Sequence, residues 1–198
     1  NNVSDNQGHG THLAGIIAAG VNNTTGIAGI APNARILPVK ILDHNGVGTY
    51  AQAAEGIVYA TDMGAQVINL GFGGTGSSDL LQNAVDYALA HNVLVIAAGG
   101  NSGNTTTYYP AGYPSVIAVS SVDDSAGWAS FSSSGEHISI SAPGIGIYST
   151  TPGDTYSTFS GTSMSSAQVS GVAALLAGQP QFSDVFTLRS ALLGGAAD

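Results

Sequence analysis

The run Val93-Leu94-Val95-Ile96-Ala97-Ala98-Gly99-Gly100-Asn101-Ser102-Gly103 decides the architecture. Its first five residues are apolar without a break. A strand with one wet face alternates apolar and polar side chains, whereas a strand covered on both faces need not. Residues 93–97 therefore read as a strand of a parallel sheet that helices cover from both sides. Val116 to Val119 repeats the pattern, and Val67-Ile-Asn-Leu70 is a shorter strand. Ala34 to Leu42 reads as a further strand, and Ile138-Ser-Ile140 as a weaker one.

Between these runs the apolar spacing turns helical. Leu13, Ile16 and Ile17 mark a helix over residues 9–20. Thr49 to Met63 places Ala51, Ala54, Val58 and Thr61 on one side. Ser77 to His91 is the clearest helix: Ser77 or Ser78 can cap it, Asp79 suits its first turn, and Leu81, Ala84, Val85 and Ala88 form a stripe. His91 falls in its last turn, where a cation suits the dipole, and reads as structural. Ser163 to Ala177 and Ser183 to Leu193 are two more helices. Alternating strands and helices predict an α/β fold of three layers, with a mostly parallel central sheet and helices on both faces. No repeat or linker interrupts the pattern, so residues 1–198 read as one domain.

Composition narrows the function. Of 198 residues, 43 % are hydrophobic and 8 % charged, too apolar for a disordered chain. Net charge is −9, and Arg35, Lys40 and Arg189 are the only strong bases, so no basic patch for nucleic acid can form. Cysteine is absent, which removes disulfides and thiolate metal sites. The apolar runs are too short to span a bilayer, and the opening residues lack a signal-peptide pattern.

In such sheets ligands gather at the carboxyl ends of the strands. Asn101 lies there on a glycine-rich loop, where its amide can donate to an oxyanion. Gly161-Thr162-Ser163-Met164-Ser165-Ser166-Ala167 starts an apolar helix, and the unpaired N–H groups at that end offer a second donor. Gln7-Gly8-His9-Gly10-Thr11-His12-Leu13-Ala14-Gly15 places His9 in a first helical turn, where the dipole favours the neutral imidazole that a general base must be. Taken singly, each has a plainer reading: a hydrogen-bonded His, a serine cap, a turn Asn. Spacing alone does not bring the three together.

The wording of the three segments, in this order, resembles the subtilisin-like serine peptidases, the subtilases. The resemblance runs collinearly from Gly8 to about Leu193, with further matches at Gly26 to Pro32, Val67 to Gly74, Tyr113 to Val119 and Ser141 to Gly144. It implies a secreted endopeptidase acting on extended peptides or proteins through an acyl-enzyme, with no cofactor for catalysis. His9 would be the base, Ser163 the nucleophile and Asn101 the oxyanion donor, with His12 structural. Gly71-Phe72-Gly73 and Gly46-Val47-Gly48 match the family's two substrate-flanking segments. An extended peptide can add between such segments as a strand, and glycine lets its backbone come close. Tyr108 falls where the family often has a small residue at the base of the first specificity pocket, which implies a shallower pocket. The family's calcium loop maps to Val21, Asn23, Thr25 and Ile27, so a structural calcium is a candidate.

The sequence also departs from the family. The family's triad runs Asp, His, Ser along the chain, yet only eight residues precede His9. Asp5 matches a common acidic position of the histidine motif, not the triad member, and Asp43, Asp123 and Asp124 match loop positions. The expectation is an N-terminally truncated subtilase, missing the first strands of the sheet and the acid they carry. Such a chain would be inactive or impaired unless the missing segment joins it; a propeptide inhibitor is another candidate partner. Ala167-Gln168 stands where the family usually has Pro-His, and Gly20 looks like an insertion. The rival reading keeps the fold and drops the chemistry: a catalytically dead subtilase-fold binding domain. Lipase-like and nucleotide-binding classes are set aside, since neither G-x-S-x-G nor G-x-x-x-x-G-K-[ST] occurs.

Overall fold

The computed structural model describes residues 3–196. Four strands form one parallel sheet in the order β1-β2-β3-β4: Val67–Leu70, Leu94–Ala98, Ile117–Val122 and Ile140–Pro143. Val67 pairs with Leu94, Ile96 with Ile117 and Val119 with Ile140. The unbroken apolar run of β2 has the predicted cause, since all five of its residues are buried. Leu94 and Ile96 pack into one core, and Val95 and Ala97 into another on the opposite face.

Helices α2 (Tyr50–Asp62) and α3 (Asp79–Ala90) cover the face of Val95. Helices α4 (Thr162–Ala177) and α5 (Val185–Gly194) cover the face of Leu94. These are the three expected layers. The starts of α2, α3 and α5 have a local cause. Thr49 and Gln52 form a reciprocal capping box at α2. Ser78 accepts from Leu81 N at α3, and Asp184 from Phe186 N and Thr187 N at α5. At the end of α3, His91 stays local: its Nδ1 lies 2.8 Å from Tyr87 O, and the two rings touch.

Helix α1 (His9–Ala18) stands apart from the sheet cores. Its Leu13 and Ile16 join Met164 and Ala167 of α4 in a third cluster. The other side of α1 meets an antiparallel hairpin of β5 (Ile147–Thr151) and β6 (Thr155–Phe159). No helix among the described residues is long and apolar enough to cross a membrane.

Three expectations need correction. Residues 34–42 form no strand; they run past the sheet unpaired, with Ile36 44 % and Leu37 39 % exposed. A strand needs a neighbour for its backbone groups, and here the nearest sheet edge, β1, lies across a groove of about 1550 Å³. The weak strand at 138–140 begins only at Ile140. In α2 the buried face is Ala53, Ala54, Ile57, Ala60 and Thr61, so the helix is rotated from the predicted stripe and Ala51 is exposed.

Candidate active site

Helix α1 opens on Gly8 with φ 96°, a left-handed turn that suits glycine, and no side chain caps it. Asp5 does related work from further back. Its Oδ1 accepts from Gln7 N and Gly8 N at 2.9 and 2.7 Å, and its Oδ2 from Thr11 N and Oγ1 at 2.8 and 2.7 Å. Burial pushes this carboxyl up, but the four hydrogen bonds outweigh it and hold Asp5 well below the usual carboxylate range. Both oxygens are committed to the segment around His9, to three backbone N–H groups and the Thr11 hydroxyl. Asp43 and Asp123 likewise fold back on their own turns, Asp43 onto Asn45 and Val47, Asp123 onto Ser125 and Gly127.

His9 is the first residue of α1, half-buried, with its N–H on Gln7 Oε1 at 3.0 Å. Burial lowers its imidazole pKa, the nearby His12 lowers it further, and Asp5 opposes. The neutral form, able to accept a proton, is therefore favoured. Among the described residues no carboxylate hydrogen-bonds to its ring.

Ser163 is the second residue of α4 and is 8 % exposed. Gly71, directly after β1, lies between it and His9. A Cβ on Gly71 would sit 3.3 Å from His9 Cε1 and 3.5 Å from Ser163 Cβ, and it would collide with Leu13 Cδ1. Imidazole and hydroxymethyl thus converge on Gly71, whose missing side chain lets them and Leu13 approach the backbone there. The Ser163 hydroxyl donates to Gly71 O at 2.8 Å, so its proton is not directed at His9 in this conformation.

Asn101 reaches the same helix end. Its Oδ1 accepts from Thr162 N and Thr162 Oγ1, each at 2.9 Å, and Thr162 Oγ1 in turn accepts from Gly100 N at 3.2 Å. With Oδ1 committed, the Nδ2 donor is held beside Gly161, 3.3 Å from where a Cβ there would lie. Thr162, one residue before Ser163, is thus the clamp that fixes Asn101. Its place in the Gly-Thr-Ser motif was visible in the sequence, but its contacts were not. The structure brings His9, Ser163 and Asn101 to one end of α4, at the carboxyl ends of β1 and β2.

The flanking segments divide. Gly71, Phe72 and Gly73 line the groove together with His9 and Gly46. Gly74 exchanges two backbone hydrogen bonds with Tyr109, at 3.0 and 2.7 Å, which ties this segment to the Tyr108 loop. The Tyr108 ring packs on Gly100, and its Cβ lies 3.5 Å from where a Gly73 Cβ would be, so it fills the space between the two backbone walls. On the other side, Gly46 N donates to Asp43 O, Val47 N to Asp43 Oδ1, and Val47 O accepts from Asp43 N. Val47 is therefore spent on its own turn, in which Gly48 takes no part.

The loop of Val21, Asn23, Thr25 and Ile27 encloses about 270 Å³. Calcium takes six to eight oxygens, commonly including carboxylates. Residues 20–28 hold no acid, and Asn23 Oδ1 already accepts from Thr25 N at 3.1 Å. Among the described residues no three His, Cys, Asp or Glu side chains cluster to hold a metal. The four residues offer the Asn23 amide oxygen and main-chain carbonyls but no charge, so a calcium held there would need further oxygens.

Comparison with known proteins shows the family. The model of the subtilase family matches residues 1–196. Thermitase of Thermoactinomyces vulgaris is 54 % identical over 172 residues, which cover 87 % of this chain and 62 % of thermitase. Subtilisin DY of Bacillus licheniformis is 48 % identical, with 87 % of this chain and 64 % of that protein covered. Among solved structures, a cold-adapted subtilisin-like serine proteinase superposes with TM-score 0.90 at 34 % identity, over 98 % of this chain and 70 % of its own. Sphericase gives TM-score 0.90 at 36 % identity, over 98 % and 70 %. The chain spans less than two thirds of the length of those two curated relatives, and over that span it belongs to the subtilase family.

Proposed function

We propose that this chain is the part of a serine endopeptidase that carries the base, the nucleophile and the oxyanion donor. The observation that carries the reading is the convergence of His9 and Ser163 on the space at Gly71, with Asn101 fixed to the same helix end. In the reaction, Ser163 Oγ leaves Gly71 O and attacks the scissile carbonyl carbon while a ring nitrogen of His9 takes the hydroxyl proton. The carbonyl oxygen becomes an oxyanion that accepts from Asn101 Nδ2 and from an unpaired N–H in the first turn of α4. The C–N bond then breaks, His9 gives its proton to the leaving amine, and an acyl-enzyme remains on Ser163. Water repeats the sequence and frees the acid product. The oxyanion donors act most strongly in the two tetrahedral stages, on attack by Ser163 and on attack by water, because the charge on oxygen develops there.

The substrate in this reading is an extended peptide paired along Gly71-Phe72-Gly73, with the Gly46-Val47-Gly48 segment as its other flank. Tyr108 leaves a shallow pocket, so small side chains are preferred before the cut; a substrate panel that favours Phe or Tyr there would count against it. No acid orients the His9 ring among the described residues, which supports low activity for this chain alone. The groove beside β1 reaches His9, and it is the place where an added strand could bring a carboxylate. An extracellular location belongs to the same proposal and rests on the family likeness.

Casein hydrolysis by the purified chain tests this. The expected result is slow cleavage that Ser163→Ala abolishes. Cleavage that survives Ser163→Ala overturns the assignment of the nucleophile. Cleavage at the rate of full-length relatives overturns the account of an impaired chain.

A further inference from the structure

His12 takes no part in the reaction as written, yet it is fully buried, at 0 % exposure. Its Nε2 lies 3.1 Å from the carbonyl oxygens of both Ile147 on β5 and Ser157 on β6. A nitrogen between two carbonyls must carry the proton, so the ring holds its hydrogen on Nε2. Nδ1 is then a bare lone pair, buried with no partner. The ring stacks on Phe159 at 4.4 Å between centroids and 19° between planes.

The backbone around His12 is tied to the same strand. Ser149 Oγ donates to His12 O at 2.7 Å, and Thr150 Oγ1 to Thr11 O at 2.9 Å. Packing alone does not call for an imidazole here: an apolar ring would fill the volume and leave no orphaned nitrogen. What the imidazole adds is a hold on two strands at once. Its place in the chain gives that hold a consequence. His12 follows His9 by three residues, on the same side of α1. Phe159 ends β6, and only Ser160 and Gly161 separate it from α4, whose second residue is Ser163.

We propose that His12 is a positioning residue: its Nε2–H pins α1 to both strands of the β5–β6 hairpin and so sets the approach of the His9 ring to Ser163. The role in approach rests on the proposed hydrolase function; the pinning of α1 does not.

The test combines fluorophosphonate labelling of Ser163 with native-state hydrogen exchange in wild type, His12→Phe and His12→Gln. Phe keeps the stacking and loses the donor, while Gln restores an N–H donor. In His12→Phe, exchange should quicken in α1 and β5–β6 and stay unchanged in β2 and β3. Labelling should slow by about tenfold or more, the scale of a small misplacement of reacting groups, and His12→Gln should recover much of it. Wild-type labelling and exchange rates in His12→Phe overturn the proposal. A wild-type chain that resists the reagent speaks against the hydrolase reading instead, and the exchange pattern then decides the pinning. Should His12→Phe fail to fold, nitrogen NMR of the wild-type ring decides: a proton on Nε2 supports the hold, and a proton on Nδ1 overturns it.

Discussion

The two flanks of the central sheet are built from similar residues and behave differently. On one flank, β2 lies between β1 and β3, and Leu94 and Ile96 are wholly buried. On the other, residues 36–41 carry the same apolar character, Ile-Leu-Pro-Val-Lys-Ile, yet Ile36 is 44 % exposed and no ladder forms. Between them β1 offers one edge to β2 and the other to the open groove. A strand is a relation between neighbours and not a property of a segment. The chemistry divides along the same line. Ser163 is held by Gly71 O and Asn101 by Thr162, while among the described residues no carboxylate meets His9, which faces the groove.

This contrast can be broken most forcefully by filling the groove. A version of the chain extended upstream by an apolar strand ending in Asp should gain turnover against the unextended chain. In subtilisin, a member of the same family, loss of the acid alone is known to cost roughly 3 × 10⁴ in turnover, which sets the scale. Equal rates with and without that strand would contradict the division. Next in size is a pair of core substitutions. Ile96→Ala should cost about 2–5 kcal/mol in chemical denaturation, because a fully buried side chain leaves a cavity. Ile36→Ser should stay within about 0.5 kcal/mol, since half-exposed Ile36 lacks such an enclosure. Val39 and Ile41 of the same segment do pack on the core, so a large loss at Ile36 would show that Ile36 too is enclosed in solution.

The smallest effect is on pH. The folded pKa of His9 is lowered, so its neutral, proton-accepting form persists to lower pH than in a free imidazole. The acid limb of Ser163-dependent cleavage should therefore fall below about pH 6.5, the free imidazole value. A limb above that value would mean that a charge raises His9, as an added carboxylate would, and the strand-extended version should shift in that direction.

What the sequence showed and what it hid follow from the same physics. Helix α3 was legible because Leu81, Ala84, Val85 and Ala88 repeat at helical spacing and all four are buried. In α2, small residues surround the helix, so its buried face was read with the wrong rotation. The β5–β6 hairpin went unread because serines and threonines blur its alternation, although Pro152-Gly153-Asp154 marks the turn. At the candidate site, His9, Ser163 and Asn101 are picked out by motif wording, which encodes residue type and order. The bond of Ser163 to Gly71 and the clamp of Thr162 on Asn101 join residues 92 and 61 apart, and no local pattern announces them.

The account turns on whether Ser163 is a nucleophile served by His9. Covalent labelling by a fluorophosphonate, mapped by peptide mass, measures this directly on the chain as it stands. The expected result is slow, stoichiometric modification of Ser163 alone, lost in Ser163→Ala and strongly slowed in His9→Ala. Modification of other serines at a similar rate, or a Ser163 rate indifferent to His9→Ala, would contradict it.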